Sequence, residues 1–230
     1  MARLAADRLD AVLAVKPRAA IALPTGHTPL PLYEELVRRS GAGSLRLDRV
    51  RVFNLDEYLG LGAEDPLSYA AYLQRHLLQP ARIPPAQVRL IRGDANDPQA
   101  ECRAFDSAIE QAGGIDLAIL GLGVNGHIAF NEPGSDWKAG TRVVALDAQT
   151  LATHRAQNAA QRALPDKGIT MGIPAIRGAA AVLLLVAGAS KHAALAALLR
   201  GVPDRRWPVT SLIGHPGLTL IADSGLRIPA

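Results

Sequence analysis

The sequence is short of several things that would each have announced a particular chemistry. It has a single cysteine, Cys102, which excludes an intramolecular disulfide and any thiolate metal cluster. That usage fits a reducing compartment, and the chain is read as cytoplasmic. Aromatics are scarce at 4%, too few to interleave stacking platforms with basic residues as binders of single-stranded nucleic acid do. No apolar run approaches the roughly 18 residues of a membrane span. Acidic Asp7 and Asp10 interrupt the opening residues where a secretory signal would be unbroken and apolar. The histidines outside the motif below, His27, His76, His154, His192 and His215, show no metal-ligand spacing, and no metal is expected. A G-x-S-x-G nucleophile elbow is also missing.

What is present is aliphatic. Hydrophobic residues make up 49% of 230 positions, so the core must be built from Ala, Val, Leu and Ile, as suits parallel strands covered by helices. Lys and Arg number 25 against 21 Asp and Glu, a net charge of +4. The basic residues are scattered, with adjacent pairs only at Arg38–Arg39 and Arg205–Arg206. The distribution points away from nucleic acid and membrane partners and toward a small anionic ligand.

Helical spacing of apolar residues over 4–15 leads into an apolar run at 19–23 that stops at Pro24, Thr25 and Gly26. Thr28 can cap a following helix with Pro29 at its first position. The same grammar recurs: strand 50–55, helix 68–78, strand 88–91, helix 98–112, strand 115–122, strand 141–146, a stretch without clear periodicity, strand 182–187, helix 190–200 and strand 218–223. Alternation of this kind predicts an α/β fold, an open, mostly parallel Rossmann-like sheet with helices on both faces. Neither Pro84–Pro85 nor the turn at 165–168 sits in a long polar linker, so one domain over 1–230 is expected.

Four unusual loops fall at or just after the ends of predicted strands: 24–28, 54–58, 121–132 and 188–191. In an open parallel sheet such loops share one edge, and ligands bind there, outside the carboxyl ends of the strands. PTGHTP offers backbone N–H groups, two hydroxyls and a helix N-terminus, which together suit a phosphate. Lys191 would add positive charge to the same edge. In FNLDEYLGL, the neighbours Asp56 and Glu57 point in different directions, so at most one faces the crevice. A carboxylate there could abstract a proton from carbon if burial tunes it. Within GLGVNGHIAFNEPGS, His127 can shuttle protons near neutral pH and Glu132 could orient its ring. Gly121, Gly123 and Gly126 match G-x-G-x-x-G, but HIAFNEP follows in place of an evident helix, which weakens a dinucleotide reading.

LPTGHTPLPLYEEL, FNLDEYLGL, SYAAYL, GLGVNGHIAFNEPGS and VAGASKHAAL, in this order, resemble the glucosamine-6-phosphate deaminase family, related to 6-phosphogluconolactonase, over residues 20–222. The resemblance implies conversion of glucosamine 6-phosphate to fructose 6-phosphate and ammonia without a cofactor. Asp56 then corresponds to the base that moves a proton between C2 and C1, and His127 to the residue that opens the pyranose ring. Glu132 and Asn125 correspond to the pair that tunes His127; Asn125 stands where many members carry Asp, which leaves more of the tuning to Glu132. Thr25, Gly26, His27 and Thr28 correspond to the phosphate loop, Lys191 to its cationic partner, and Arg155, loosely, to a phosphate-contacting arginine. His27 occupies a position that is often Gly or Ser.

The resemblance further implies a monomer or small homo-oligomer acting on an amino-sugar phosphate. The chain ends soon after its last strand, so no activation by N-acetylglucosamine 6-phosphate is expected. Tyr58 and the AFNEP ending favour the deaminase over the lactonase, the alternative on the same fold. A non-catalytic sugar-phosphate-binding regulator is the alternative from a different class.

Overall fold

The computed structural model describes residues 1–157, 162–223, 225 and 226. Its centre is a six-stranded sheet built from β1 (Ala20–Leu23), β2 (Arg51–Asn54), β4 (Val88–Arg89), β5 (Leu117–Gly121), β8 (Ala181–Val186) and β9 (Leu218–Ala222). The order is β4-β2-β1-β5-β8-β9, and every pairing is parallel. The chain therefore winds outward from β1 to one edge, returns, and winds outward from β5 to the other. The switch point lies between β1 and β5, where the loops that follow the two strands diverge to leave a crevice.

The central strands read as unbroken apolar runs because both faces are covered. Alternate residues enter two separate cores. Ala20, Ala22, Ala118, Leu120, Val182 and Leu184 pack with Phe105, Ile109 and Leu195. Ile21, Leu23, Leu117, Ile119, Leu183 and Leu185 pack on the opposite face with Leu9, Leu32 and Leu73. The second core is closed by α1 (Ala2–Val15), α2 (Leu30–Gly41) and α3 (Tyr69–Leu73), which continues as a π-helical segment over Gln74–Leu78. The first is closed by α4 (Pro98–Gln111), α6 (Ile173–Arg177) and α7 (His192–Leu199). Local signals fix the starts: Asp97 accepts from the amides of Gln99 and Ala100 ahead of Pro98, and Ser68 accepts from Ala71.

A second, three-stranded antiparallel sheet, ordered β3-β7-β6, consists of β3 (Asp56–Tyr58), β7 (Lys167–Thr170) and β6 (Arg142–Ala145). The sequence suggests a loop at 54–58 and at 165–168, and the structure makes strands of both. The expected strand at 141–146 exists but belongs to this small sheet. The stretch without clear periodicity holds α5 (Ala148–Gln157), β7 and α6. Asn54 governs the passage between sheets: its Nδ2 donates to the Asp56 carbonyl at 2.8 Å and its Oδ1 accepts from Ile91 N at 2.9 Å. A buried amide side chain thus replaces the ladder bonds that the chain gives up on leaving β2.

Candidate active site

The four loops do converge. A cavity of about 710 Å³ is lined by residues 24–28 after β1, Leu55 and Asp56 entering β3, residues 121–124, His127 and Ala129 after β5, and Gly188, Ser190 and Lys191 after β8.

The loop after β1 does not form the cap suggested by sequence. The helix starts at Leu30 with Pro29 as its N-cap and no side-chain cap bond, so the Thr28 hydroxyl lines the cavity instead. The amides of Thr25, Gly26, His27 and Thr28 donate to no backbone acceptor among the described residues. Two tyrosines explain how they stay available. Tyr33 Oη donates to the Pro24 carbonyl, and Tyr72 Oη to the Gly26 carbonyl at 2.5 Å. In a trans peptide the N–H points opposite the C=O, so anchoring these carbonyls aims the amides of Thr25 and His27 the other way. Gly26, at φ 95°, supplies the left-handed turn that such an amide nest requires. Lys191 reaches the same cavity, and partial burial lowers its pKa from the ordinary lysine value.

The adjacent acids separate as strand alternation demands. Asp56 is buried and lines the cavity. Burial pushes its carboxyl well above the ordinary carboxylate range, and the charges of Glu57 and Glu132 add to the shift. Glu57 turns the other way and holds the start of α3: its carboxylate accepts from the amides of Tyr58 at 2.8 Å, Tyr69 at 2.9 Å and Ala70 at 2.8 Å.

His127 sits in the turn after β5. Gly123 must lack a side chain, because a Cβ there would lie 2.4 Å from the imidazole Cγ. Imidazole Nδ1 lies 3.1 Å from Thr150 Oγ1 and 3.4 Å from Glu132 Oε2. An ionised carboxylate only accepts, so Nδ1 carries the proton and Nε2 is left as a proton acceptor. Asn125 Nδ2 donates to Glu132 Oε2 at 2.7 Å, while its Oδ1 accepts from the His127 amide at 3.1 Å. Asparagine suits this position because an ionised aspartate could not donate to Glu132. Burial pushes the Glu132 carboxyl up, but hydrogen bonds from His127, Thr150 and Asn125 outweigh it and hold the pKa at about 2.

Of the residues singled out from sequence, Thr25, Gly26, His27, Thr28, Asp56, His127 and Lys191 line the cavity, and Asn125 and Glu132 stand directly behind His127. Arg155 does not join them. It is exposed on α5, while Thr153, His154 and Ala156 line the cavity; at 100° per residue those three share an arc of the helix and 155 lies opposite it. Sequence reasoning passed over Tyr33, Tyr72, Thr150 and His154. Tyr33 and Tyr72 lie within the quoted segments LPTGHTPLPLYEEL and SYAAYL, but nothing in the sequence shows that their hydroxyls hold the Pro24 and Gly26 carbonyls, and Thr150 and His154 lie outside the quoted segments. Among the described residues no group of three or more His, Cys, Asp or Glu is placed to hold a metal, and no helix is long and apolar enough to cross a membrane.

Comparison with known proteins agrees with this geometry. The family model described as glucosamine-6-phosphate isomerases/6-phosphogluconolactonase matches residues 1–220. A glucosamine-6-phosphate deaminase of Hahella chejuensis is 39% identical over 97% of this chain and 85% of its own. One from Lysinibacillus sphaericus is 38% identical over 96% and 93%. Among solved structures, a monomeric glucosamine-6-phosphate deaminase superposes with a TM-score of 0.94 at 35% identity, covering 98% of this chain and 95% of that one. A 6-phosphogluconolactonase from Thermotoga maritima, 21% identical with a TM-score of 0.75, shares the fold. Cavity, loops and similarity lead to one conclusion: the chain belongs to the glucosamine-6-phosphate isomerase/6-phosphogluconolactonase family.

Proposed function

We propose that the protein is a glucosamine-6-phosphate deaminase, isomerising glucosamine 6-phosphate and releasing ammonia to give fructose 6-phosphate. The observation that carries this reading is the placement of Asp56, in the small sheet, and His127, in the turn after β5 of the large one, on one cavity whose wall also includes an amide nest and Lys191. The nest and lysine hold the phosphate, fixing the sugar so that its C1–C2 end meets the acid and base. Nε2 of His127 takes the proton of the O1 hydroxyl and gives one to the ring oxygen as the pyranose opens, and Glu132 stabilises the imidazolium that forms. Asp56 takes the proton from C2 and returns it to C1, while a second proton passes from the amine to O1, so that the C1 aldehyde becomes an alcohol and the C2 amine an imine. The resulting imine at C2 is hydrolysed by water, which releases ammonia. A carboxyl with a raised pKa suits this work, since it is basic enough to take a proton from carbon.

The high identity to relatives named as deaminases, beside a fold-only likeness to a lactonase, supports deamination over ester hydrolysis. A monomer or small homo-oligomer in the cytoplasm is the form we take as active. The test is ammonia release from glucosamine 6-phosphate by wild type, Asp56→Asn and His127→Gln. Loss of an acid–base group is expected to lower kcat about 100-fold or more in each variant. Wild-type protein that releases no ammonia but hydrolyses 6-phosphogluconolactone would establish the lactonase instead.

A further inference from the structure

Beside the main cavity lies a second one of about 290 Å³, and both are bordered by Thr25, Gly26, His27, Tyr69 and His154. His154, on α5 where no motif had drawn attention to it, therefore lines the same two cavities as the phosphate loop. Its ring orientation is fixed. Tyr58 Oη lies 2.7 Å from Nδ1, and Tyr69 Oη is 3.5 Å from the same nitrogen and 3.4 Å from Tyr58 Oη. The ring also packs edge-on against Tyr58 and tilted against Phe130. A phenol at neutral pH is the natural donor to an imidazole nitrogen, so Nδ1 accepts and the ring proton resides on Nε2.

With Nδ1 accepting from Tyr58, the ring's N–H donor is Nε2, and His154 lines the cavity that residues 25–28 and Lys191 also line. Burial lowers the His154 pKa to about 4, with Lys191 adding to the shift and Glu132 opposing it, leaving a neutral imidazole. The groups facing it from packed elements are Tyr58 on β3, Tyr69 on α3, and His127, Glu132 and Lys191 from the loops.

We propose that His154 is a substrate-contacting residue that donates its Nε2–H to the phosphate held by residues 25–28 and Lys191, with Tyr58 as the positioning residue that fixes its tautomer. The proposal rests on the phosphosugar reading above. It gives α5 a part in phosphate binding through a neutral donor, since Arg155 points away.

The test compares His154→Gln and His154→Asn, using inorganic phosphate as a competitive inhibitor of ammonia release. Glutamine places an amide N–H near the position of Nε2. Asparagine keeps a polar partner for Tyr58 but is too short to reach the phosphate. The Asn variant is expected to bind phosphate about 10- to 100-fold more weakly, with KM raised alike and kcat little changed, because one hydrogen bond to a charged group is lost. The Gln variant is expected to recover most of that loss, and Tyr58→Phe to lie between them. A purely structural His154 would rank the variants the other way, by how well they satisfy Tyr58. Equal phosphate inhibition in wild type and the Asn variant would overturn the proposal, as would a raised KM with unchanged phosphate affinity, which would place Nε2 on a sugar hydroxyl. A wild type that releases no ammonia would instead sink the deaminase reading, and phosphate-induced thermal stabilisation, read on the same variants, would still decide the role of His154.

Discussion

The two sheets do different work. The six-stranded parallel sheet is an aliphatic platform whose strand ends supply the amide nest and Lys191, groups suited to hold an anion. The three-stranded sheet and α5 are small and carry groups whose protonation is shifted: Asp56, Glu57, Tyr58 and His154. Segment 125–132 ties them together, leaving β5 of the large sheet and bonding the small one through Phe130 N to Thr170 Oγ1 and Asn131 Nδ2 to the Met171 carbonyl. The difference implies a division of labour in which the platform supplies the amide nest and lysine for the anionic end of the substrate and the small sheet supplies the base Asp56, with His127 on the segment that joins them.

Lys191→Ala is the strongest way to break that division. Losing one charged hydrogen-bonding partner of the phosphate is expected to raise KM about 10- to 100-fold while kcat stays within a few-fold. A drop in kcat equal to the drop in kcat/KM would mean that the lysine acts in the transition state and that the platform takes part in the chemistry. Steady-state kinetics over a wide substrate range decides between them.

Tyr72→Phe sharpens the same point at one remove, because the hydroxyl touches only the loop. Without its bond to the Gly26 carbonyl, the peptide can rotate and the His27 amide loses its aim. The expected result is a rise in KM of about three- to tenfold, the worth of a single neutral hydrogen bond, with kcat unchanged. An unchanged KM would show that the nest holds its shape without the tyrosine.

The platform was legible in the sequence and the small sheet largely was not. Strands such as β5 and β8 are buried on both faces, so they appear as continuous Ile, Leu, Val and Ala runs ending at glycine, and their loops follow from topology. The placement of Asp56 and His127 could be reached in the same way. β3 and β7 are three and four residues long, and their pairing joins residues more than 100 positions apart, as at Asp56 and Thr170. Such segments carry too few residues to show a period of two. The cluster beneath them, Tyr58, Leu61, Phe130, Leu146 and Leu164, draws single residues from separate segments. His154 belongs to that layer, and no local pattern marks it.

The neighbours Asp56 and Glu57 offer the finest test, since sequence alone cannot say which one works and which one builds. Glu57 grips three amides at the start of α3, and Glu57→Gln keeps an acceptor there while removing the titration. Burial raises the Glu57 pKa from 4.5 to about 7 against the pull of those amides. A carboxyl whose folded pKa is raised binds its proton more tightly in the native state, so its contribution to stability is complete below pH 4.5 and is lost as pH rises through about 7. Wild type is therefore expected to lose stability relative to Glu57→Gln over that interval, by about 3 kcal/mol at neutral pH, since the value of about 7 already includes the pull of the amides. Chemical denaturation at several pH values reads this directly. The turnover of folded Glu57→Gln should stay close to wild type, whereas Asp56→Asn, one residue away, should lose it; a Glu57→Gln protein that folds as well as wild type but is as inactive as Asp56→Asn would show that the chemistry depends on both acids.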